Sequence, residues 1–185
     1  MKVIQIRGCN ACGKTTLVKQ FIENKQLKQK KYKKIKYYED NGIIVIGDYS
    51  KDGCCGCDAD FSNKIELFDT ILYFVKNMKP RYLIFEGLMY GITFEFSYNL
   101  KKYLEKNNCG YKAIYLTSDF KTIVERLNER NKGKEVNYEH LIDKYESAEK
   151  AYIKLKANKI DIVKYNVKDI KKEDMFKLLE DEINE

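Results

Sequence analysis

Residues 8–15 of the chain read Gly-Cys-Asn-Ala-Cys-Gly-Lys-Thr, which satisfies the pattern G-x-x-x-x-G-K-[S/T] at every fixed position. The apolar-rich segment Lys2–Arg7 precedes this loop, and the segment Lys14–Lys25 after it carries apolar residues at helical spacing. A strand, a glycine-containing loop and an amphipathic helix in this order predict a phosphate-binding P-loop.

The predicted P-loop assigns chemistry to individual residues. Its backbone amides and the helix N-terminus behind them would surround a phosphate chain. Lys14 is expected to contact the β- and γ-phosphates, and Thr15 to offer its hydroxyl to Mg²⁺. The sequence therefore predicts binding of a nucleoside triphosphate, ATP with Mg²⁺. The nucleotide-binding residues are expected to be Gly8, Asn10, Ala11, Cys12, Gly13, Lys14, Thr15 and Thr16.

Strand-like and helix-like segments alternate along the rest of the 185-residue chain. Further strands are expected at 81–85, 111–116 and 160–165, with 33–38 and 43–48 forming a hairpin around Asp40-Asn41-Gly42. Further helices are expected at 62–77 (capped by Ser62), 94–106, 119–130, 138–157 and 170–183. This alternation and the P-loop predict an α/β fold, a three-layer P-loop NTPase with a five-stranded, mainly parallel sheet. We expect one domain over 1–185, with a small lid near 130–137.

Two acids follow apolar strands at positions where a P-loop kinase needs them. Asp48 comes after 43–46, and Glu86 comes after 83–85. Because ligands bind at the carboxyl ends of parallel strands, both acids should face the phosphate site. We assign Glu86 to the metal, together with Thr15, and Asp48 to the proton of an attacking hydroxyl. The alternative for each is a strand-end acid that only bonds to its own loop.

Two arginines lie on one helix face before a polar break. Arg126 and Arg130 are four residues apart and Gly133 follows. Such a pair could close over the transferring phosphoryl group and offset its charge. The alternative is that the arginines form ion pairs with Glu125 and Glu129.

The net charge of +7 is concentrated in one segment. Lys25–Lys36 contains seven lysines and no acid, so the rest of the chain is formally neutral. Such a patch is typical of a nucleic-acid contact, although a solvated lysine-rich loop or edge strand has the same composition. No apolar run is long enough to span a membrane and the start does not read as a signal peptide, so a cytoplasmic protein is expected.

The six cysteines are expected to be free thiols. Cys9 and Cys12 lie inside the P-loop, whose geometry does not favour a redox or zinc pair, and are expected to be small loop residues. Cys54, Cys55 and Cys57 could ligate zinc with a fourth ligand, but their spacing favours a glycine-rich substrate loop with Asp58.

The segments Gly8–Thr15 and Phe85-Glu86-Gly87, with the pattern from Ile114 to Arg130, resemble the P-loop nucleoside and nucleotide kinases. Gly47-Asp48-Tyr49 and the cysteine segment ending at Asp58 are similar to small bacteriophage kinases, a group that includes kinases of 5-hydroxymethyluracil in DNA. The resemblance covers about 2–165, and implies a location in the cytoplasm of the phage's host. It implies substrate contacts by Tyr49, Cys57 and Asp58. Asp48 stands where those relatives carry Asn or His, so its role as a base does not come from them.

The sequence thus predicts a kinase that transfers the γ-phosphoryl group of ATP to a nucleotide-type hydroxyl. The favoured acceptor is a hydroxymethylpyrimidine base in DNA, with possible DNA contact through Lys25–Lys36. The alternatives are a kinase of free nucleosides or nucleoside monophosphates, and an NTP-hydrolysing switch without an acceptor. A protein that only binds nucleic acid would leave the complete P-loop unexplained.

Overall fold

A computed structural model of the chain describes residues 1–50, 56–131 and 136–184. Its strands form one seven-stranded sheet in the order β2-β3-β4-β5-β1-β6-β7. The strand bounds are β1 Lys2–Arg7, β2 Lys28–Tyr32, β3 Ile35–Asp40, β4 Ile43–Ile46, β5 Tyr82–Glu86, β6 Gly110–Thr117 and β7 Ile162–Asn166.

The sheet has a parallel part and an antiparallel edge. β4, β5, β1, β6 and β7 are parallel, which is the predicted five-stranded core. β2 and β3 extend it as antiparallel strands. Asn41 and Gly42 have φ values of 47° and 78°, the left-handed pair that a two-residue hairpin turn requires, so the predicted hairpin is confirmed. The lysine-rich run, expected to be a loop or an edge strand, contains the edge strand β2.

Helices cover both faces of the sheet. They are α1 Lys14–Asn24, α2 Cys57–Asp60, α3 Lys64–Tyr73, α4 Leu88–Gly91, α5 Phe94–Lys106, α6 Phe120–Asn131, α7 Tyr138–Ala157 and α8 Lys177–Asn184. One apolar core packs α1, α6 and α8 against one face, and a second packs α3 and α5 against the other. The two cores explain the predicted three layers, because each sheet face must be buried.

The third helix departs from its predicted start. The expected cap was Ser62, but the side chain of Asn63 accepts the hydrogen bond from the Glu66 amide at 2.9 Å. The Glu66 carboxylate binds Ser62 in turn, so both residues belong to the cap. The helix continues as a π-helical turn, Phe74–Met78, before β5.

The strand order determines where a site can form. β1 lies between β5 and β6, so the loop after β1 and the residues that follow β5 share the carboxyl edge of the sheet. In the part of the chain that the structure describes, no helix is both long and apolar enough to cross a membrane.

Candidate functional site

The loop of residues 8–13 has the backbone that its glycines allow. Gly8 has a φ of 136°, and a Cβ atom there would lie 2.2 Å from the carbonyl oxygen of Leu116. Ala11 and Gly13 also have positive φ values, 54° and 81°. Residues with positive φ thus alternate with residues of ordinary φ along the loop. The loop therefore curves back on itself directly before the first turn of α1, as phosphate binding requires.

The cation of the loop is held inside it. The Lys14 side chain donates to the carbonyl oxygens of Gly8 at 3.1 Å and Cys9 at 2.7 Å, and the residue is only 7% exposed. Because both carbonyl groups are neutral, these contacts bring no negative charge to the ammonium group. It can therefore exchange them for phosphate oxygens, which bind a cation more strongly.

Thr15 and Glu86, expected to share a metal, are in direct contact. The Thr15 hydroxyl donates to Oε1 of Glu86 at 3.1 Å, and Glu86 is 2% exposed. Burial and the Asp58 carboxylate raise the pKa of Glu86 to about 7, against the opposing effects of Lys14 and Thr15. A hydroxyl oxygen beside a carboxylate oxygen at a P-loop is the hard-oxygen donor set that Mg²⁺ prefers, so these residues fit that ion.

Gly56 and Asp58 hold the Glu86 region in place. A Cβ atom on Gly56 would lie 2.2 Å from Oε1 of Glu86, so only glycine leaves room for the carboxyl group. The Asp58 carboxylate accepts hydrogen bonds from the amides of Leu88 and Met89, at the start of α4. Asp58, expected to bind substrate, thus also orders the backbone that follows β5.

A cleft of about 1000 Å³ joins these groups. Arg126 lines it and donates to the carbonyl oxygen of Ala11 at 3.4 Å, and Arg130 lies on the same wall. Within the described residues neither arginine forms an ion pair with Glu125 or Glu129, which was the alternative. The cleft also contains these predicted residues: Asn10, Gly13, Lys14, Thr15, Thr16, Asp58 and Glu86. Of the expected lid at 130–137, residues 132–135 lie outside the described residues.

One wall of the cleft was missed by the sequence analysis. Val167, Ile170 and Met175, from the connection between β7 and α8, line it beside Lys172. The backbone of Lys172 accepts a hydrogen bond from Gln20 of α1 at 2.8 Å. An apolar wall beside a phosphate loop suits the ring of a nucleotide base. These three apolar residues belong to no sequence motif. Their place in the cleft follows only from the packing of this connection against α1.

Asp48 lies at the predicted strand end but outside the residues that line the cleft. Its carboxylate accepts hydrogen bonds from Lys36 at 2.8 Å and from the Ser50 hydroxyl at 2.6 Å, and the residue is 7% exposed. Burial raises the pKa of Asp48, but the bonds from Lys36 and Ser50 outweigh it and hold that pKa at about 2. Its backbone pairs with Gly56, which connects it to the Glu86 region.

Two predicted substrate residues have buried side chains. The Cys57 thiol is fully buried among apolar residues, 3.5 Å from the Ile46 carbonyl oxygen, and burial raises its pKa. The thiol therefore has no exposed surface in this structure, and a substrate contact by Cys57 stays a prediction. Tyr49 is buried with its ring against that of Tyr38. Cys54 and Cys55, the other candidate zinc ligands, lie outside the described residues.

The thiols of the P-loop are also buried. Burial raises the pKa of Cys9 and brings that of Cys12 to about 11. Thiols that stay protonated are poor nucleophiles and metal ligands. This agrees with their expected role as small loop residues.

Comparison with known proteins finds relatives among bacteriophage enzymes. The chain is 31% identical to the "5-hmdU DNA kinase" of Delftia phage PhiW-14 over 135 residues, 68% of this chain and 51% of that protein. It is 28% identical to the "5-hmdU DNA kinase" of Pseudomonas phage M6 over 159 residues, 78% of this chain and 80% of that protein. The chain thus spans about half the length of the first relative and four fifths of the second. No protein-family profile matches the sequence.

Solved structures show the same fold at low sequence identity. Deoxyadenosine kinase from M. mycoides with bound dCTP superimposes with a TM-score of 0.52 and 15% identity, covering 100% of this chain and 99% of that one. An uncharacterized protein from Eubacterium ventriosum has a TM-score of 0.52 at 13% identity, with 100% and 99% coverage. In its phage relatives, its P-loop geometry and its fold, the chain resembles the bacteriophage-type small P-loop nucleoside and nucleotide kinases.

Proposed function

We propose that the protein is a kinase that transfers the γ-phosphoryl group of ATP to a hydroxyl of a nucleotide-type acceptor, a 5-hydroxymethyluracil base in DNA. The observation that carries phosphoryl-transfer chemistry is the contact between Thr15 and Glu86 beside the Lys14 ammonium. A buried carboxylate at the end of the neighbouring strand completes the oxygen set that phosphoryl transfer needs. Because NTP-hydrolysing proteins use the same set, transfer to an acceptor other than water is supported by the kinase names of the phage relatives.

In the proposed reaction, the triphosphate lies along the backbone amides of the P-loop. Lys14 leaves its two carbonyl partners and contacts the β- and γ-phosphates, and Arg126 reaches the same region from α6. Thr15 and Glu86 would hold Mg²⁺, which neutralises phosphate charge when bound. The apolar wall of Val167, Ile170 and Met175 would receive the base.

The acceptor hydroxyl would approach from the side of Asp48. Its oxygen forms a bond to the γ-phosphorus while the bond to the oxygen that bridges the β- and γ-phosphates breaks, releasing ADP. The hydroxyl proton passes to the Asp48 carboxylate. That group is ionised at neutral pH, and its bonds from Lys36 and Ser50 leave one of about four acceptor positions open.

The choice of acceptor is supported by the names of both phage relatives. It is also supported by the position of β2, which brings several lysines to an exposed edge of the sheet. A hydroxymethyl group on a base inside a duplex is not free to enter a cleft. The proposal therefore includes either extrusion of the base or a single-stranded substrate.

The test is transfer of labelled γ-phosphate from ATP to a panel of acceptors. The panel contains free nucleosides, nucleoside monophosphates, unmodified DNA, and DNA of the same sequence with 5-hydroxymethyluracil in place of one thymine. We expect label in the modified DNA alone. A Lys14→Ala protein run in parallel measures any contaminating kinase.

Each other outcome changes the assignment in a defined way. Label in a free nucleoside or monophosphate would make the protein a nucleotide-pool kinase and overturn the DNA acceptor. Release of inorganic phosphate without label in any acceptor would favour the NTP-hydrolysing switch and overturn the kinase assignment.

A further inference from the structure

Paired residues of neighbouring strands form a row across the sheet, at the edge that carries the P-loop. Ile6 of β1 pairs with Glu86 of β5. β4 lies next to β5, and the Gly47 amide that follows it donates to the carbonyl oxygen of Lys36 in β3. Lys36 pairs with Lys31 of β2. Since neighbouring strands are about 4.8 Å apart, Lys31 lies only on the order of 10 Å from the end of β4 that leads into Asp48.

The antiparallel edge explains how a lysine far from the P-loop motif reaches this row. β3 runs opposite to β4, so its first residues lie at the carboxyl edge of the parallel strands. β2 runs opposite to β3, so its last residues and the turn at Lys33 lie there too. Lys28, at the start of β2, lies at the other end of the strand.

Ion pairs divide the lysines of the run into two groups. Four of them are paired: Lys25 with Glu180 at 2.5 Å, Lys30 with Glu39 at 3.1 Å, Lys34 with Glu66 at 2.7 Å and Lys36 with Asp48 at 2.8 Å. Within residues 1–50, 56–131 and 136–184, Lys28, Lys31 and Lys33 have no such pair. Among the described residues, Lys31 and Lys33 are therefore the lysines of this segment that have no ion pair and lie at the edge that carries the P-loop.

The hairpin that carries them is fixed on the body of the protein. The ring of Tyr32 stacks on that of Tyr73 in α3 with a centroid distance of 4.0 Å. Lys34, in the turn, is tied to Glu66 of the same helix. Lys33 has a φ of 54° and its ammonium lies 5.4 Å from the centre of the Tyr32 ring. Lys31 and Lys33 are thus carried by a hairpin that is packed against α3.

We propose that Lys31 and Lys33 bind backbone phosphates of the acceptor strand on either side of the nucleotide that receives the phosphoryl group. The inference rests on the proposed function. It adds to that function the surface by which the protein would select DNA over a free nucleoside. A base that reaches Asp48 places its flanking phosphates within reach of the β2–β3 turn. A free nucleoside has no such phosphates, so these two lysines favour DNA as the acceptor.

The test compares two double variants with equal loss of charge. Lys31→Gln with Lys33→Gln removes the proposed contacts. Lys106→Gln with Lys159→Gln removes two exposed charges that precede β6 and β7, at the opposite edge of the sheet. For each protein we would measure kcat and KM with a single-stranded oligonucleotide containing one 5-hydroxymethyluracil, and with the free nucleoside. The affinity for the oligonucleotide would be measured over a range of salt concentrations.

We expect the first double variant to raise KM for the oligonucleotide by about tenfold or more at low salt, with kcat little changed. The slope of log affinity against log salt should fall by about 1.4, since each contact with a single strand contributes roughly 0.7. The second double variant should stay within about twofold of the parent protein. Any activity on the free nucleoside should be the same in all three proteins.

Equal losses in the two double variants would overturn the inference, because the effect would then come from net charge. An unchanged KM and salt slope in the first variant would also overturn it. In both cases label in the DNA would leave the proposed function standing. If the parent protein labels a free nucleotide and no DNA, the proposed acceptor fails and this inference fails with it.

Discussion

Asp48 follows β4 and Glu86 ends the neighbouring parallel strand β5, yet folding shifts the pKa values of their carboxyl groups in opposite directions. Glu86 is buried beside the P-loop with Thr15 as its hydrogen-bond donor, and its pKa is raised to about 7. Asp48 is nearly as buried, but Lys36 and Ser50 hold its pKa at about 2. Under the proposed function, Glu86 would meet a cation that arrives with the nucleotide. Asp48 already has a cation from the protein, the Lys36 ammonium.

The difference shows that the two halves of the site are built in different ways. The proposed nucleotide side, which consists of the P-loop, Glu86 and Arg126, has the Lys14 ammonium bonded only to neutral carbonyl groups. On the proposed acceptor side, Asp48 is already paired with Lys36. We therefore expect variants on the nucleotide side to lose ATP affinity and transfer together, and variants on the acceptor side to lose transfer alone.

The largest effect should come from Lys14→Ala. Removing the ammonium that neutralises the phosphates should lower the transfer rate by about 10³-fold or more and weaken the binding of an ATP analogue. Rates of labelled transfer and calorimetric titration with the analogue would measure both. The melting temperature serves as the control for folding. Retained activity in a folded variant would contradict the role of Lys14.

Asp48→Asn should have the next largest effect. Loss of the proton acceptor should lower transfer by about 10²–10³-fold, while the affinity for an ATP analogue stays within about twofold. Asp69→Asn, which removes an exposed carboxylate on α3, is the matched control. A loss of ATP affinity as large as the loss of transfer would place Asp48 on the nucleotide side. It would contradict the proposed difference between the nucleotide side and the acceptor side.

Gly56→Ala tests the contact between the two halves. The new Cβ would lie 2.2 Å from Oε1 of Glu86, at a residue whose φ is +71°. We expect a destabilisation of about 1–3 kcal/mol and a loss of transfer of about 10–100-fold, because Glu86 must move. Urea denaturation and transfer rates would measure these effects. Gly110→Ala is the control, since its Cβ would lie 3.5 Å from the side chain of Lys2; equal effects in both variants would contradict the steric argument.

Lys36→Gln should have the smallest effect, and one that depends on pH. A carboxyl group whose pKa is lowered by folding stabilises the protein above its unfolded pKa of about 4, and this stability disappears as the pH falls towards 2. Without Lys36, burial of Asp48 is less opposed and its pKa should rise. The variant should therefore be slightly less stable than the parent protein at neutral pH, and the difference should vanish near pH 2. Urea denaturation across this range would detect it; a difference independent of pH would exclude Asp48 as its source.

Local patterns predicted much of the fold. Helix α5, residues 94–106, and helix α7, residues 138–157, begin and end where the apolar spacing and the flanking polar residues indicated. The Asn41-Gly42 turn was predictable because its left-handed backbone suits those residues. β2 was harder to predict, since a strand of lysines has no apolar alternation. It becomes a strand through pairing with β3.

The cleft residues that could be predicted have a pattern that is visible along the chain. Those in 8–15 came from the loop pattern, Glu86 from the rule on strand ends, and Arg126 and Arg130 from their spacing on one helix face. The apolar wall at Val167, Ile170 and Met175 was missed because it has no motif of its own. The burial of Cys57 was not predictable, because a cysteine in a glycine-rich segment does not show whether its thiol points to the cleft or to the core.

The sequence by itself determined that a phosphate loop joins β1 to α1, and that strands and helices alternate around it. These properties depend on neighbouring residues, through glycine geometry and apolar spacing. The tertiary structure decided which groups surround the two acids. Thr15 meets Glu86 across 71 positions, and Lys36 meets Asp48 across 12. Burial and ion pairing are set by which strands lie side by side, so only the assembled sheet could place one acid against the P-loop threonine and the other against a lysine.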